Sequence, residues 1–167
     1  DEEVRNFVRD EVTKKGIHLK FKDNVNKLTK ASNNTVKVHY ESGDTVDTGF
    51  VLYATGRVPH TDDLGLENIE LELNSKGQIQ VNQAFQTSID CIYALGDVTG
   101  GMQLTPVALA EGMYLANKLF SDHEPDLVDY NNIATAVFCQ PNIATVGLSE
   151  EQAKAQFQNI KVFVSTF

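Results

Sequence analysis

The feature that most constrains this chain is a short apolar run that ends in a carboxylate. Ile92-Tyr93-Ala94-Leu95 stops abruptly at Gly96-Asp97, then Gly100-Gly101 and Leu104-Thr105-Pro106 follow closely. The run reads as a buried strand and Thr105-Pro106 as a helix start, with Thr as N-cap and Pro, its φ preset, at the first helical position. Val107, Leu109, Met113, Leu115, Ala116, Leu119 and Phe120 make most of that helix apolar, which predicts that it is largely buried. Gly112 inside it costs about 1 kcal/mol relative to Ala, which points to close backbone packing there. Open α/β sheets collect ligands at the carboxyl ends of their strands. A carboxylate there accepts hydrogen bonds from sugar or polyol hydroxyls. A helix N-terminus offers free N–H groups and partial positive charge to an anionic or carbonyl ligand. By residue type alone, a turn-capping Asp and an ordinary helix start account for these residues slightly better. The order and spacing of the segments are what point to a ligand site.

The remaining pattern alternates helix and strand. Val4, Phe7, Val8 and Val12 recur at helical spacing, and Gly16 stands where a C-terminal cap is expected. Ile17 to Phe21 alternates like a strand, Val36, Val38 and Tyr40 share the face of another, and Ser42-Gly43-Asp44 is a turn. Phe50-Val51-Leu52-Tyr53-Ala54 is a continuous apolar run, expected as a strand buried on both faces, ending in Thr55-Gly56-Arg57-Val58-Pro59. Gly56 permits close approach of a backbone or ligand, although a glycine turn between domains explains it equally well. Lys76-Gly77 turns into a half-buried strand over Gln78 to Val81. Ala134 to Phe138 and Ile143 to Leu148 read as strands around a Gln140-Pro141-Asn142 turn. Ser149-Glu150-Glu151-Gln152 matches a capping box and opens a short helix through Phe157, and a further strand begins at Ile160.

Composition excludes several classes. Among 167 residues, 14 Lys+Arg against 23 Asp+Glu leave a formal net charge of −9, which disfavours phosphate-backbone binding. A hydrophobic fraction of 41% is globular. No apolar run approaches the roughly 18 residues of a membrane span, and no signal-peptide pattern opens the sequence. Cys91 and Cys139 form no CxxC pair, so no zinc site or disulfide scaffold is indicated, and a reducing cytoplasm is the expected compartment.

In combination, these segments resemble the flavin-dependent pyridine nucleotide–disulfide oxidoreductases, closest to the glutathione reductase branch. The resemblance rests on Ala54-Thr55-Gly56-Arg57-Val58-Pro59, Ile92-Tyr93-Ala94-Leu95-Gly96-Asp97-Val98 and Leu104-Thr105-Pro106-Val107-Ala108. Asp129-Tyr130-Asn131-Asn132-Ile133 and Ile143-Ala144-Thr145-Val146-Gly147-Leu148-Ser149-Glu150 follow in the family's order. Dihydrolipoamide dehydrogenases and mercuric reductases usually differ at Leu104 to Ala108, so the resemblance favours the glutathione, trypanothione and large thioredoxin reductases. It implies that Asp97 hydrogen-bonds the ribityl chain of FAD, and that Thr105 places its backbone N–H at the O2 edge of the isoalloxazine. A helix N-terminus there stabilises the negative charge of reduced flavin. It further implies that Gly56, Gln103 and Ala136 line the nicotinamide nucleotide site, Gln103 through its backbone.

The family's GxGxxG for FAD, CxxxxC redox pair, second glycine-rich turn and terminal His-Glu pair are not found in these residues. Cys139 reads as a small buried residue, and His18, His39, His60 and His123 as surface or structural. The resemblance therefore implies an internal fragment of α/β and α+β class, without catalytic residues of its own, which also accounts for the start at Asp1. Residues 1–58 are expected to end a Rossmann-like NAD(P)H-binding domain, 59–131 to close the FAD-binding domain, and 132–167 to begin a dimerisation domain. The implied activity is reduction of oxidised glutathione or a similar small disulfide by NADPH through FAD, in a homodimer. Many glutathione reductases carry an arginine where this chain has Met113, after Glu111-Gly112. Plant-type glutathione reductases and trypanothione reductases lack that arginine too. The alternatives are another disulfide reductase of the family and, from a different class, a non-catalytic folding or dimerisation module.

Overall fold

A computed structural model describes residues 1–165, and the chain divides into two compact units: Asp1–Thr55 with the segment from Ala134 onward, and Gly56–Ile133.

The first unit opens with α1 (Glu2–Lys14), with Glu2 and Glu3 in its first turn and Lys14 in its last, matching the helix dipole. Gly16, at φ +81°, follows its end as expected. The helix buries no residue, and Phe7 on its apolar face is exposed. An antiparallel meander comes next: β1 (Val25–Lys30), β2 (Val36–Tyr40) and β3 (Thr45–Thr48), in that order. Val38 at its centre is buried and stands opposite Leu28 on one side and Val46 on the other. The β2–β3 turn is pinned by Asp23, whose carboxylate accepts from the Ser42 N–H (3.1 Å) and hydroxyl (2.7 Å). Lys20 bridges Asp23 (2.7 Å) and Asp44 (2.6 Å), and its hydrogen bond to Asp23 is the main reason that carboxyl lies below the usual range. Later in the chain, β4 (Thr135–Val137) and β5 (Ile143–Thr145) form a two-stranded ladder, with the Thr135 and Thr145 hydroxyls 2.7 Å apart. The capping box is as read: Ser149 Oγ accepts from Gln152 N–H (3.2 Å), and the Gln152 side chain accepts from Ser149 N–H (2.9 Å), opening α3 (Glu150–Gln156).

The second unit is built largely from turns around a core of Leu71, Ile79 and Ala94, with Leu66, Val81, Ile89, Ile92 and Val98 against it. Two asparagines shape it in the same way. Asn74 Oδ1 accepts from the Lys76 and Gln78 N–H groups at 2.9 and 3.1 Å, and Asn82 Oδ1 from those of Ala84 and Gln86 at the same two distances. Such side-chain-to-backbone bonds mimic a backbone turn and fold the chain back within a few residues. α2 (Thr105–Phe120) packs through Val107, Glu111 and Tyr114, which lie on one helical face, and Tyr114 meets Phe85 edge-to-face at 5.6 Å.

Several expectations are corrected. Ile17 to Phe21 is irregular chain held by Lys20 rather than a strand. Phe50 to Ala54 forms no strand, and Phe50 is 94% and Leu52 90% exposed. A strand buried on both faces needs neighbours on both sides, and no described strand pairs with this run. Gln78 to Val81 and Ile92 to Leu95 each reduce to a single bridge, Leu73 with Ile79 and Gln86 with Tyr93, because the asparagine turns reverse the chain too soon for a ladder. α2 is only partly buried: Leu109, Met113 and Phe120 lie on exposed faces. Thr105 is its first helical residue, not its N-cap. Extended Leu104 takes that place, its carbonyl accepting from Val107 and Ala108 N–H, which moves Pro106 to the second position. A Cβ added at Gly112 meets nothing within 4 Å, so no close approach requires that glycine. Cys139 is half-buried rather than buried, and Ile160 to Ser165 forms no strand; residues 166–167 lie outside the described residues.

Candidate functional site

The second unit presents Asp97 on a short 3-10 turn, Gly96–Thr99. Leu95 arrives extended, Gly96 turns left-handed at φ +70°, and Gly100 closes the turn at φ +79°. Glycine is required at 96 on two counts: left-handed backbone disfavours any side chain, and a Cβ there would sit 3.3 Å from Ala108 Cβ on α2. The turn is held by Thr99 Oγ1 donating to Gly96 O (2.9 Å) and by Ile79 N–H donating to Val98 O (3.1 Å).

Asp97, Gln103 and Thr105 line one open depression of about 480 Å³ with Arg57, Ala108 and Leu109. Arg57 Nη2 stands 3.7 Å from Asp97 Oδ2, and the two side chains are 74% and 46% exposed. An exposed pair at that distance contributes at most about 1 kcal/mol, so its consequence is a local balance of charge rather than stability. The Thr105 N–H, at the start of α2, makes no hydrogen bond among the described residues, as first-turn amides do without a cap. The depression therefore offers a half-exposed carboxylate, an exposed guanidinium and a free helix amide. This set suits a ligand with hydroxyls and an electron-rich carbonyl edge.

Beneath the turn lies Glu111. Its Oε2 accepts from the Gly96 N–H at 2.6 Å and its Oε1 from the Tyr130 hydroxyl at 2.8 Å. Burial first, then the bond to Glu111 and its charge, push the Tyr130 phenol up to about 12. A larger depression of about 620 Å³ has Phe85, Met102, Glu111, Leu127 and Tyr130 in its wall. Its one carboxylate already has both oxygens engaged, so it offers a ligand no free charge.

Of the other expected site residues, Gly56 is exposed at φ +120° and adjoins Arg57 in sequence. Ala136 lies exposed in β4 of the first unit, opposite Ala144. Among the described residues no cluster of three potential metal ligands occurs, and both cysteines are free. Sequence reasoning did not single out Arg57 or Glu111. Arg57 lies in the Thr55-Gly56-Arg57 segment, and a lone carboxylate amid the apolar first turns of α2 is the readable sign of Glu111.

Two family descriptions match this chain: "Pyridine nucleotide-disulphide oxidoreductase" over residues 1–112, and its dimerisation domain over residues 133–167. The chain belongs to the pyridine nucleotide-disulphide oxidoreductase family. The chloroplastic/mitochondrial glutathione reductase of Pisum sativum is 41% identical over 91% of this chain and 27% of that protein. The trypanothione reductase of Trypanosoma congolense is 38% identical over 96% of this chain and 33% of its own length. In structure, the HOCl-induced flavoprotein disulfide reductase RclA from Escherichia coli superposes with a TM-score of 0.80 at 30% identity, over 88% of this chain and 33% of that one. The chain thus spans about a third of the length of the relatives it matches, and its mixed helix-and-strand fold is that of the flavoprotein disulfide reductases. Among the described residues no helix is long and apolar enough to cross a membrane.

Proposed function

We propose that these residues serve within an FAD-dependent disulfide reductase that uses NADPH to reduce oxidised glutathione, acting as a homodimer in the cytoplasm. The observation that carries this reading is the shared depression of Asp97 and the α2 N-terminus, in a chain of this family. The donor set fits a flavin: Asp97 would accept hydrogen bonds from the ribityl hydroxyls, and the free Thr105 amide would face the O2 edge of the isoalloxazine. When bound, the flavin supplies the two-electron relay between nicotinamide and disulfide. Gly56, Gln103 and Ala136 would line the nicotinamide side. The names of the glutathione and trypanothione reductase relatives support the substrate class, and the dimerisation-domain match supports the homodimer. Residues 1–58 would belong to the nicotinamide domain, 59–131 to the FAD domain and 132–167 to the interface.

Exposed surface supports membership of a larger body. The chain exposes 13638 Å² at 18.5 kDa. Even two separate compact bodies sharing that mass would expose only about 10,000 Å². Phe50 and Leu52, almost fully exposed, are the residues such a body would cover.

The trypanothione reductase relative supports a second reading in which the substrate is trypanothione disulfide, and Met113 in place of the frequent arginine fits that reading and a plant-type glutathione reductase equally. The test is the turnover of the full-length protein with NADPH and NADH, on glutathione, trypanothione and thioredoxin disulfides. Preference for NADPH with glutathione disulfide is expected. Preference for either other disulfide overturns the substrate assignment. Turnover by the 167-residue chain alone would overturn its reading as a non-catalytic portion.

A further inference from the structure

Glu111 is the charged side chain that the described residues bury, at 3% exposure. A buried carboxylate is costly unless its oxygens are satisfied, and an apolar residue of similar size carries no such cost. Both oxygens are satisfied here, by donors from two separate places. One is the amide of Gly96, the left-handed residue immediately before Asp97, and the other is the hydroxyl of Tyr130, beyond the end of α2.

The Gly96 contact bears on the depression directly. Left-handed glycine is conformationally permissive, so the backbone at 96 has little intrinsic reason to keep one direction. Thr99 holds the Gly96 carbonyl, Ala108 closes in from α2, and a charge-assisted hydrogen bond at 2.6 Å from Glu111 fixes the amide side of the same residue. Tyr130 in turn holds the second oxygen, so the carboxylate cannot rotate away from the turn. We propose that Glu111 is a positioning residue, braced by Tyr130, which fixes the Gly96 amide and thereby aims the Asp97 carboxylate into the depression.

The inference rests on the reading of Asp97 as a flavin ligand, and the experiment separates the two. Flavin is removed from the full-length protein, and FAD is titrated back while its fluorescence is followed, for Glu111→Leu, Glu111→Gln, Asp97→Asn and the Leu/Asn double variant. Glu111→Leu leaves the buried Gly96 amide unpaired and frees the part-buried Tyr130 hydroxyl, and FAD binding weakens about tenfold. Glu111→Gln keeps an acceptor for Gly96 and a partner for Tyr130, and recovers most of the loss. Because Glu111 acts through Asp97, adding Glu111→Leu to Asp97→Asn brings little further loss. Losses that simply add, or a Glu111→Leu protein that binds FAD as the parent does, overturn the inference while leaving the site reading intact. An Asp97→Asn protein with unchanged FAD affinity refutes the site reading and the inference with it. If Glu111→Leu does not fold, Tyr130→Phe takes its place in the cycle. It should weaken FAD binding more mildly, and again without further loss on Asp97→Asn; additive losses there overturn the inference equally.

Discussion

Gly96 and Gly112 lie on either side of the site turn's contact with α2, and the same substitution should have opposite effects at the two. Gly96 has φ +70° and its added Cβ would stand 3.3 Å from Ala108 Cβ. Left-handed backbone costs an L-residue about 1–2 kcal/mol. The neighbour is a methyl group fixed to a helix, so relief requires the turn itself to shift, and the total for Gly96→Ala comes to about 2 kcal/mol. Gly112 lies inside α2, with nothing within 4 Å of an added Cβ. There alanine gains its helix propensity, about 1 kcal/mol, at no steric cost. Urea unfolding followed by circular dichroism reads both as shifts of midpoint at constant slope. The midpoint should fall for Gly96→Ala and rise for Gly112→Ala. An unchanged midpoint for Gly96→Ala, or an equal fall for both, refutes the assignment of space and backbone strain at the turn.

Other consequences are open to measurement. Ser149→Ala removes the cap of α3 and should cost that helix about 1 kcal/mol, visible as faster hydrogen exchange at the Gln152 amide. Tyr130, raised to about 12, holds its proton more tightly folded than unfolded. Its contribution to stability is therefore complete below the ordinary phenol pKa near 10 and is lost as pH rises through about 12. Stability curves of the parent and Tyr130→Phe should converge across that window, and parallel curves would contradict the cause assigned. Phe50→Ala should leave the 167-residue chain within about 0.5 kcal/mol of the parent. In the full-length protein it should cost about 3 kcal/mol if the run is covered there; thermal midpoints of both decide it.

How far the sequence carried the reading depended on whether a signal was local. α1, β2, α2 and the α3 capping box were legible because spacing and caps are set within a turn or two of chain. β1 was not: Lys27, Thr29 and Lys30 dilute its apolar residues, and a bulge between Val25 and Lys27 breaks the alternation that reveals a strand. The apolar runs Phe50 to Ala54 and Ile92 to Leu95 misled in a common way. Hydrophobicity reports that a segment is destined for burial, whereas a ladder needs a partner strand. The two asparagine turns are compact signals, each an Asn followed four residues later by Gln; the first is legible at Lys76-Gly77, and the second carries no glycine or proline to mark it. At the site, the Gly-Asp turn and the Thr-Pro helix start were visible as motifs. Their convergence with Arg57, and the support from Glu111, required the fold.

The most direct test of the account is the visible spectrum of the purified full-length protein under anaerobic titration. In an FAD-dependent disulfide reductase NADPH alters the spectrum of the bound flavin and oxidised glutathione restores it in full. A protein that holds no flavin, or one whose flavin NADPH leaves unchanged, would contradict the proposed function.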